Sequence, residues 1–224
     1  MGELLPSSAI TVEGGEGGAE LLPEEKGELP RMVEKRRREF AAGRACARRA
    51  LAQLGWPAFP LLSGSSREPL WPPGVVGSLT HCAGYCACAV APASQLSSVG
   101  IDAEPNVPLP AGVEPVICTE RELASLPALP GVNWPTVLFS AKEAVYKAWF
   151  PLTHRWLDFL DAEISVQASR GPLDGLGTGL FLARLRIEVP DLLPLPGNAF
   201  EGRFKVTPTH VLAAVALVTV PPAS

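Results

Sequence analysis

The chain is short of the features that mark an exported or membrane-bound protein. Its first 25 residues hold no lysine or arginine, so the positive start of a secretory leader is missing. Pro6 stands where a myristoylation signal carries serine or threonine. The longest apolar run, residues 211–218, is far too short to cross a bilayer. The cysteines (Cys46, Cys82, Cys86, Cys88 and Cys118) are odd in number and irregularly spaced, which suits reduced thiols and not a disulfide framework. A cytoplasmic protein without a membrane partner is expected. The net charge of −4 shows no basic excess, which argues against a general nucleic-acid partner. Walker and kinase sequences are missing as well, so the common nucleotide cradles are excluded.

What is present is a globular composition. Over 224 residues, 47% are hydrophobic and 19% charged, enough for one large domain or two small ones. With 24 prolines and 21 glycines, many turns and long connections are expected. Charge is unevenly spread. Residues 1–29 carry seven glutamates and one lysine, whereas residues 31–49 carry eight basic residues and two acidic ones. The first stretch, rich in glycine and glutamate, is expected to be a flexible entry segment with some order over residues 21–30.

The strongest single signal is the stretch 133–152, NWPTVLFSAKEAVYKAWFPL. Pro135 suits a first helical turn, and Pro151 is expected to end the run. At 100° per residue, Trp134, Val137, Leu138, Ala141, Ala144, Val145, Ala148 and Trp149 share one face. Glu143 points the other way with Ser140 and Lys147 beside it, among Phe139, Tyr146 and Phe150. Apolar residues on both sides imply packing on both sides, which places Glu143 in a partly closed cleft where a carboxylate needs a cation. The plainer reading is a solvated Glu143–Lys147 pair at i,i+4.

A second helix is expected over residues 30–54, stopped by Gly55 and Pro57. Arg37, Arg44 and Arg48 lie along one edge of its apolar stripe (Phe40, Gly43, Ala47, Leu51). Three such cations suit a shared anion, and guanidinium forks match phosphate; a solvated basic helix is the alternative. Strands are expected at 75–79, 85–91 and 97–103. Ser78-Leu79-Thr80-His81-Cys82 is read as the turn between the first two, placed to hydrogen-bond an oxyanion. Arg67 and Trp71 sit in a loop. His81 with Cys82, Cys86 and Cys88 matches no usual zinc spacing; Cys86 and Cys88 read as buried small residues on one strand face. In the extended segment Gly100–Glu104, Asp102 and Glu104 face the same side, where they repel unless they share a hard cation; an acidic surface edge is the alternative. A proline-rich connection over 105–135 encloses a short helix, 119–126, with Thr119 as N-cap and Glu122 as its capping-box partner. Further strands are expected at 162–167, 179–189, 199–206 and 211–220, the last a central one. Gly175, Gly177 and Gly179 precede no helix and read as a hairpin loop.

Taken in order, the arginine-bearing helix, the SLTH segment, the GIDAE strand end and the FSAKEAVYKA helix resemble the single-chain, Sfp/EntD-type 4'-phosphopantetheinyl transferases. RRREFAAGRACARRAL, SLTHCAGY and KAWFPLTHRWL resemble the actinobacterial branch. The resemblance spans residues 30–163. It implies an α+β fold of two similar α+β halves forming a pseudo-dimer, with the active site in the cleft between them and halves at 30–106 and 107–224. It implies transfer of the phosphopantetheine arm of coenzyme A to a serine of an acyl or peptidyl carrier protein, an acidic helical domain. Asp102, Glu104 and Glu143 match the family's magnesium ligands, with manganese as an alternative ion. Glu143 matches the residue that accepts the serine proton, and Lys147 the one that steadies the leaving 3',5'-ADP. Arg37, Arg44, Arg48, Arg67, Thr80, His81, Lys142 and Lys147 match positions around the coenzyme A phosphates. A monomer is expected. The pathway served (fatty acid, polyketide, non-ribosomal peptide or siderophore) stays open.

Overall fold

The computed structural model describes all residues except 16–19, 171–175, 191–194 and 220–224. In chain order the elements are β1 (Ile10–Gly14), α1 (Pro23–Lys26), α2 (Glu34–Gln53), β2 (Val75–Cys82), β3 (Tyr85–Pro92), β4 (Leu96–Pro105), α3 (Glu114–Ile117), α4 (Glu120–Ala124), α5 (Trp134–Thr153), β5 (Ala162–Ser169), β6 (Gly177–Leu185), β7 (Ala199–Val206) and β8 (His210–Val218), with short 3-10 turns between some of them. The α+β expectation holds. One antiparallel sheet runs β1-β3-β2 and a second runs β4-β8-β7-β6-β5. Each half is a twenty-residue helix against its own sheet, α2 on the first and α5 on the second.

The two sheets meet at β2 and β4. There the neighbours are tied by side chains: Ser78 Oγ accepts from Ile101 N at 3.0 Å, and Thr80 Oγ1 accepts from Ala103 N at 3.0 Å. Backbone pairing nevertheless puts β4, expected in the first half, into the second half's sheet, where it pairs with β8 along Leu96–Pro105. It also makes Ser78–Cys82 part of β2, so the expected turn shrinks to Ala83-Gly84. β8 lies inside its sheet, between β4 and β7, as its apolar run implied. Gly177 and Gly179 belong to strand β6, not to a loop; Gly175 and Val220 lie outside the described residues.

Residues 1–15 and 20–29 do not form the flexible segment expected from composition; residues 16–19 lie outside the described residues. β1 pairs with β3 over Ile10–Gly14. Met1, Leu4 and Leu5 are buried against Ala87, Ala89, Val99, Ile101, Ala103, Leu212 and Ala214. Those residues form the apolar faces of both sheets turned away from α2 and α5, and the N-terminal leucines cover them from water. A few apolar residues at the right spacing outweighed a polar composition.

Alternation along β4 decides what faces α5. Val99, Ile101 and Ala103 point into the N-terminal core. Ser98, Gly100, Asp102 and Glu104 occupy the intervening positions on the opposite face. Ser98 Oγ donates to the Ala148 carbonyl at 2.7 Å. At Gly100 the helix lies against bare backbone: a Cβ there would stand 1.9 Å from the Ala144 carbonyl oxygen. α5 is the expected helix, with Pro135 in its first turn. It passes Pro151 and ends at Thr153. At its end Thr153 Oγ1 donates to Trp149 O and His154 N to Phe150 O, with His154 left-handed at φ 52°. α4 is capped as expected, Thr119 Oγ1 accepting from Glu122 N while Glu122 accepts from Thr119 N.

Candidate active site

A cleft of about 480 Å³ opens between the halves. One wall is α2, with Arg36, Glu39, Phe40, Gly43 and Arg44. The other is α5, with Glu143, Tyr146, Lys147 and Phe150. β2 forms the floor through Gly77–His81, and the loop bearing Arg67 and Glu68 closes one end. Glu143 is half-buried here, as packing on both sides of its helix implied.

Asp102 adjoins this cleft from below and is 3% exposed. Its Oδ1 accepts from Lys147 Nζ at 2.6 Å and from Thr80 Oγ1 at 3.3 Å. Its Oδ2 is buried without a partner. Lys147 also donates to the Ile101 carbonyl at 3.2 Å, which leaves one ammonium N–H free. Burial pushes the Glu104 carboxyl up to about 7, and the charges of Asp102 and Glu143 add to that while Lys147 opposes it. Glu143 is raised too, by burial first and by Asp102, against the pull of Lys147. Three carboxylates thus sense one another across a single lysine. Among the described residues, no three histidine, cysteine or carboxylate side chains stand close enough to cage a metal ion by themselves.

Across the cleft, Arg36 Nη1 lies 2.7 Å from His81 Nε2, and Glu39 Oε2 lies 3.0 Å from the same nitrogen. Burial and the Arg36 charge pull the His81 pKa below its ordinary value, Glu39 opposing, so the ring is neutral at pH 7. Arg44 is buried over the Phe40 ring, its guanidinium carbon 3.9 Å from the ring centre. It donates to the Leu61 carbonyl at 2.8 Å and to Ser63 Oγ at 3.0 Å. Burial lowers its pKa, against the charges of Glu28 and Glu25.

Of the residues singled out in the sequence, Arg44, Arg67, Thr80, His81, Glu143 and Lys147 line the cleft, with Asp102 hydrogen-bonded to two of them. Glu104 follows on the same face of β4. Three others are carried elsewhere. Arg37 folds back to the Met32 carbonyl at 2.9 Å. Arg48 neutralises Glu25, a fully buried carboxylate, at 2.7 Å. Lys142 is buried on the far side of α5, with its Nζ 2.9 Å from Glu122 and 2.7 Å from the Ile117 carbonyl. One helix step of 100° separates Lys142 from Glu143 and sends it into the second core. The cleft arginine that sequence reasoning missed is Arg36. A signal for it exists: Arg36, Phe40, Gly43 and Arg44 follow the i, i+4, i+7, i+8 pattern of one face, but Phe40 and Gly43 fit the buried stripe equally well.

Residues 24–91 match the family described as 4'-phosphopantetheinyl transferase N-terminal domain, and residues 98–189 match the 4'-phosphopantetheinyl transferase superfamily. The chain is 48% identical over 199 residues to 4'-phosphopantetheinyl transferase PptT of Mycobacterium tuberculosis, covering 88% of this chain and 86% of that protein. The chain belongs to the 4'-phosphopantetheinyl transferase superfamily. Two more of these transferases match across nearly the whole length: Svp of Streptomyces mobaraensis, 45% identical over 96% of this chain and 87% of its own, and Npt of Nocardia iowensis, 43% over 87% and 88%. The break between the two matched regions falls between β3 and β4, where hydrogen bonding passes from one sheet to the other. The protein is therefore an enzyme of the phosphopantetheinyl transferase class, built in the two-domain manner of that superfamily. Coenzyme A is the substrate such transferases use.

Proposed function

We propose that this transferase moves the 4'-phosphopantetheine arm of coenzyme A onto a serine hydroxyl of an acyl or peptidyl carrier protein, with a magnesium ion at the Asp102 site. The observation that carries the reading is the unpartnered, buried Oδ2 of Asp102, set beside two carboxylates of raised pKa and opposite a wall of Arg36, Arg44, Arg67 and His81. A buried carboxylate oxygen without a donor calls for a cation. Magnesium is satisfied by one or two carboxylates together with substrate phosphates and water. The donor set therefore suits it even though three protein ligands do not converge. Asp102 and Glu143 would hold the ion, with Glu104 as the third carboxylate; manganese accepts the same oxygen ligands. When bound, the ion neutralises charge on the pyrophosphate.

The chain's own groups supply the rest. In the transfer, the serine oxygen bonds to the phosphorus that carries the pantetheine arm, and the bond from that phosphorus to the bridging oxygen breaks. The products are the modified carrier and 3',5'-ADP. Glu143, its pKa raised by burial, is placed to accept the serine proton directly or through one water. Lys147 keeps one N–H for a phosphate oxygen while its other two go to Asp102 and to the Ile101 carbonyl. Arg36, Arg44, Arg67 and neutral His81 supply fixed donors to the remaining phosphates. No covalent enzyme intermediate is expected, because positioning and electrostatics suffice.

The test is intact-mass measurement of an apo carrier protein incubated with the enzyme, coenzyme A and magnesium, with and without chelator. A gain of about 340 Da, one phosphopantetheine arm, that disappears with chelator supports the reading. Unaltered modification by Asp102→Ala or Glu143→Ala enzyme would sink the assignment of the site.

A further inference from the structure

The acidic segment before α2 has no part in the chemistry above, yet two of its glutamates, Glu25 and Glu28, are turned inward. Glu25 is fully buried, accepting from Leu22 N, from Leu61 N at 3.1 Å and from Arg48 Nη1. One turn on, Glu28 grips Ser63 with both oxygens: Oε1 accepts from Ser63 N at 2.8 Å and Oε2 from Ser63 Oγ at 2.6 Å. Ser63 Oγ in turn accepts from Arg44 Nη2 at 3.0 Å. The hydroxyl is thus polarised in one direction, from guanidinium to serine to carboxylate, and Glu28 fixes the oxygen on which Arg44 rests.

Ser63 is also the root of the loop that closes the cleft. It bridges to Pro69, Leu70 N donates to Leu62 O, and Gly64 N donates to Glu68 O at 2.7 Å. Arg67 sits at the tip with a positive φ of 69°, a conformation that a non-glycine residue keeps only when its surroundings hold it. Two of the cleft's three arginines therefore depend on the position of one serine, and that serine is held by a residue 35 positions earlier in the chain.

We infer that Glu28 and Ser63 are positioning residues for coenzyme A binding: they aim Arg44 and the Arg67 loop at the anionic ligand without touching it themselves. The inference rests on the proposed reading of the cleft as the coenzyme A site. The acidic segment, on this view, is the back wall of the phosphate-binding apparatus.

The test is titration calorimetry of coenzyme A, alongside steady-state kinetics, on the wild type and on Glu28→Ala, Glu28→Gln, Ser63→Ala and Arg44→Ala proteins. Glu28→Ala and Ser63→Ala should each raise Kd and KM for coenzyme A by about tenfold, the size of one misdirected charge-assisted hydrogen bond, with kcat within about twofold. Glu28→Gln keeps an acceptor for Ser63 N and an amide for its hydroxyl, and should bind within about threefold of wild type. In the Arg44→Ala background, Glu28→Ala should weaken binding less than it does alone, since part of its effect passes through the missing guanidinium. A folded Ser63→Ala protein with wild-type Kd would overturn the inference. So would variants that lose thermal stability and active fraction while the remaining folded molecules bind coenzyme A normally, because that is the signature of a scaffold role alone. Ser63→Ala leaves the Glu28 to Ser63 N bond intact, so the test survives if Glu28→Ala does not fold. Binding by the wild-type chain tests the proposed function; ratios between variants and wild type test the positioning role.

Discussion

Gly100 is where the fold and the active site can be separated from each other by one methyl group. The Cβ of Gly100→Ala would lie 1.9 Å from Ala144 O and 2.8 Å from Ala148 N, both backbone atoms of α5. Backbone of a buried helix cannot swing aside as a side chain does. To restore ordinary contact the helix must retreat by about 1.5 Å locally, or β4 must bend away. Overpacking of this kind costs about 2–3 kcal/mol, which for a chain of this length corresponds to roughly 5–10 °C in Tm. The consequence for chemistry is larger. Glu143 and Lys147 flank Ala144 and Ala148 on α5, and Asp102 lies two residues beyond Gly100 on β4. The shift therefore opens the 2.6 Å contact between Lys147 and Asp102. A misplacement near 1 Å in a catalytic constellation costs about 100-fold in rate. Gly202→Ala is the control: its Cβ would crowd the Phe181 ring at 2.1 Å, on β7, which β8 separates from β4, and against a side chain instead of the α5 backbone. Both variants should melt early, but only Gly100→Ala should lose specific activity per folded molecule by about two orders of magnitude. Melting by circular dichroism and carrier modification followed by mass spectrometry read the two quantities. If Gly100→Ala keeps wild-type activity, or if both glycine variants lose activity alike, the helix-to-strand contact does not set the site and the reasoning fails.

Lys147→Met should lose about 2–3 kcal/mol in denaturant titrations with chelator, because Asp102 is left buried and unpaired, and magnesium should recover part of it; an equal loss with and without magnesium would contradict the cation site. Lys142→Met strands Glu122, whose side chain is 0% exposed; it should cost about 3–5 kcal/mol while the folded fraction binds coenzyme A as wild type does, and a stable variant with weak binding would restore Lys142 to the phosphate site. Glu104 has its pKa raised from 4.5 to about 7, so the folded state binds its proton more tightly than the unfolded chain. That contribution is fully present below pH 4.5 and is lost as pH rises through about 7. Glu104→Gln should therefore melt higher than wild type in chelator at pH 8, with the gap narrowing toward pH 5, and a gap independent of pH would refute the cause.

Much of this protein is written in local pattern. Both long helices, the strands after β1, the Thr119–Glu122 capping box and the shared face of Asp102 and Glu104 follow from periodicities of 3.6 and 2 and from side-chain hydrogen bonds three residues apart. The cleft position of Glu143 was legible because aromatic residues surround it on the polar side of α5. Tertiary contacts decided the rest. Composition marks residues 1–29 as loose, but β3 offers an unpaired edge, and the joined sheets an uncovered apolar face, that no local pattern reveals. SLTHC reads as a turn, but its backbone pairs with β3 up to Cys82–Tyr85, and the amides of β4 then claim the Ser78 and Thr80 hydroxyls. Whether an arginine of α2 serves the cleft or the scaffold depends on partners far along the chain: His81 for Arg36, Ser63 for Arg44 and Glu25 for Arg48. Sequence sets which charges lie on a helix face. Which of them stay free for a ligand is decided by the buried carboxylates that must be neutralised first, because an unpaired charge in the interior costs more than a single surface ion pair contributes.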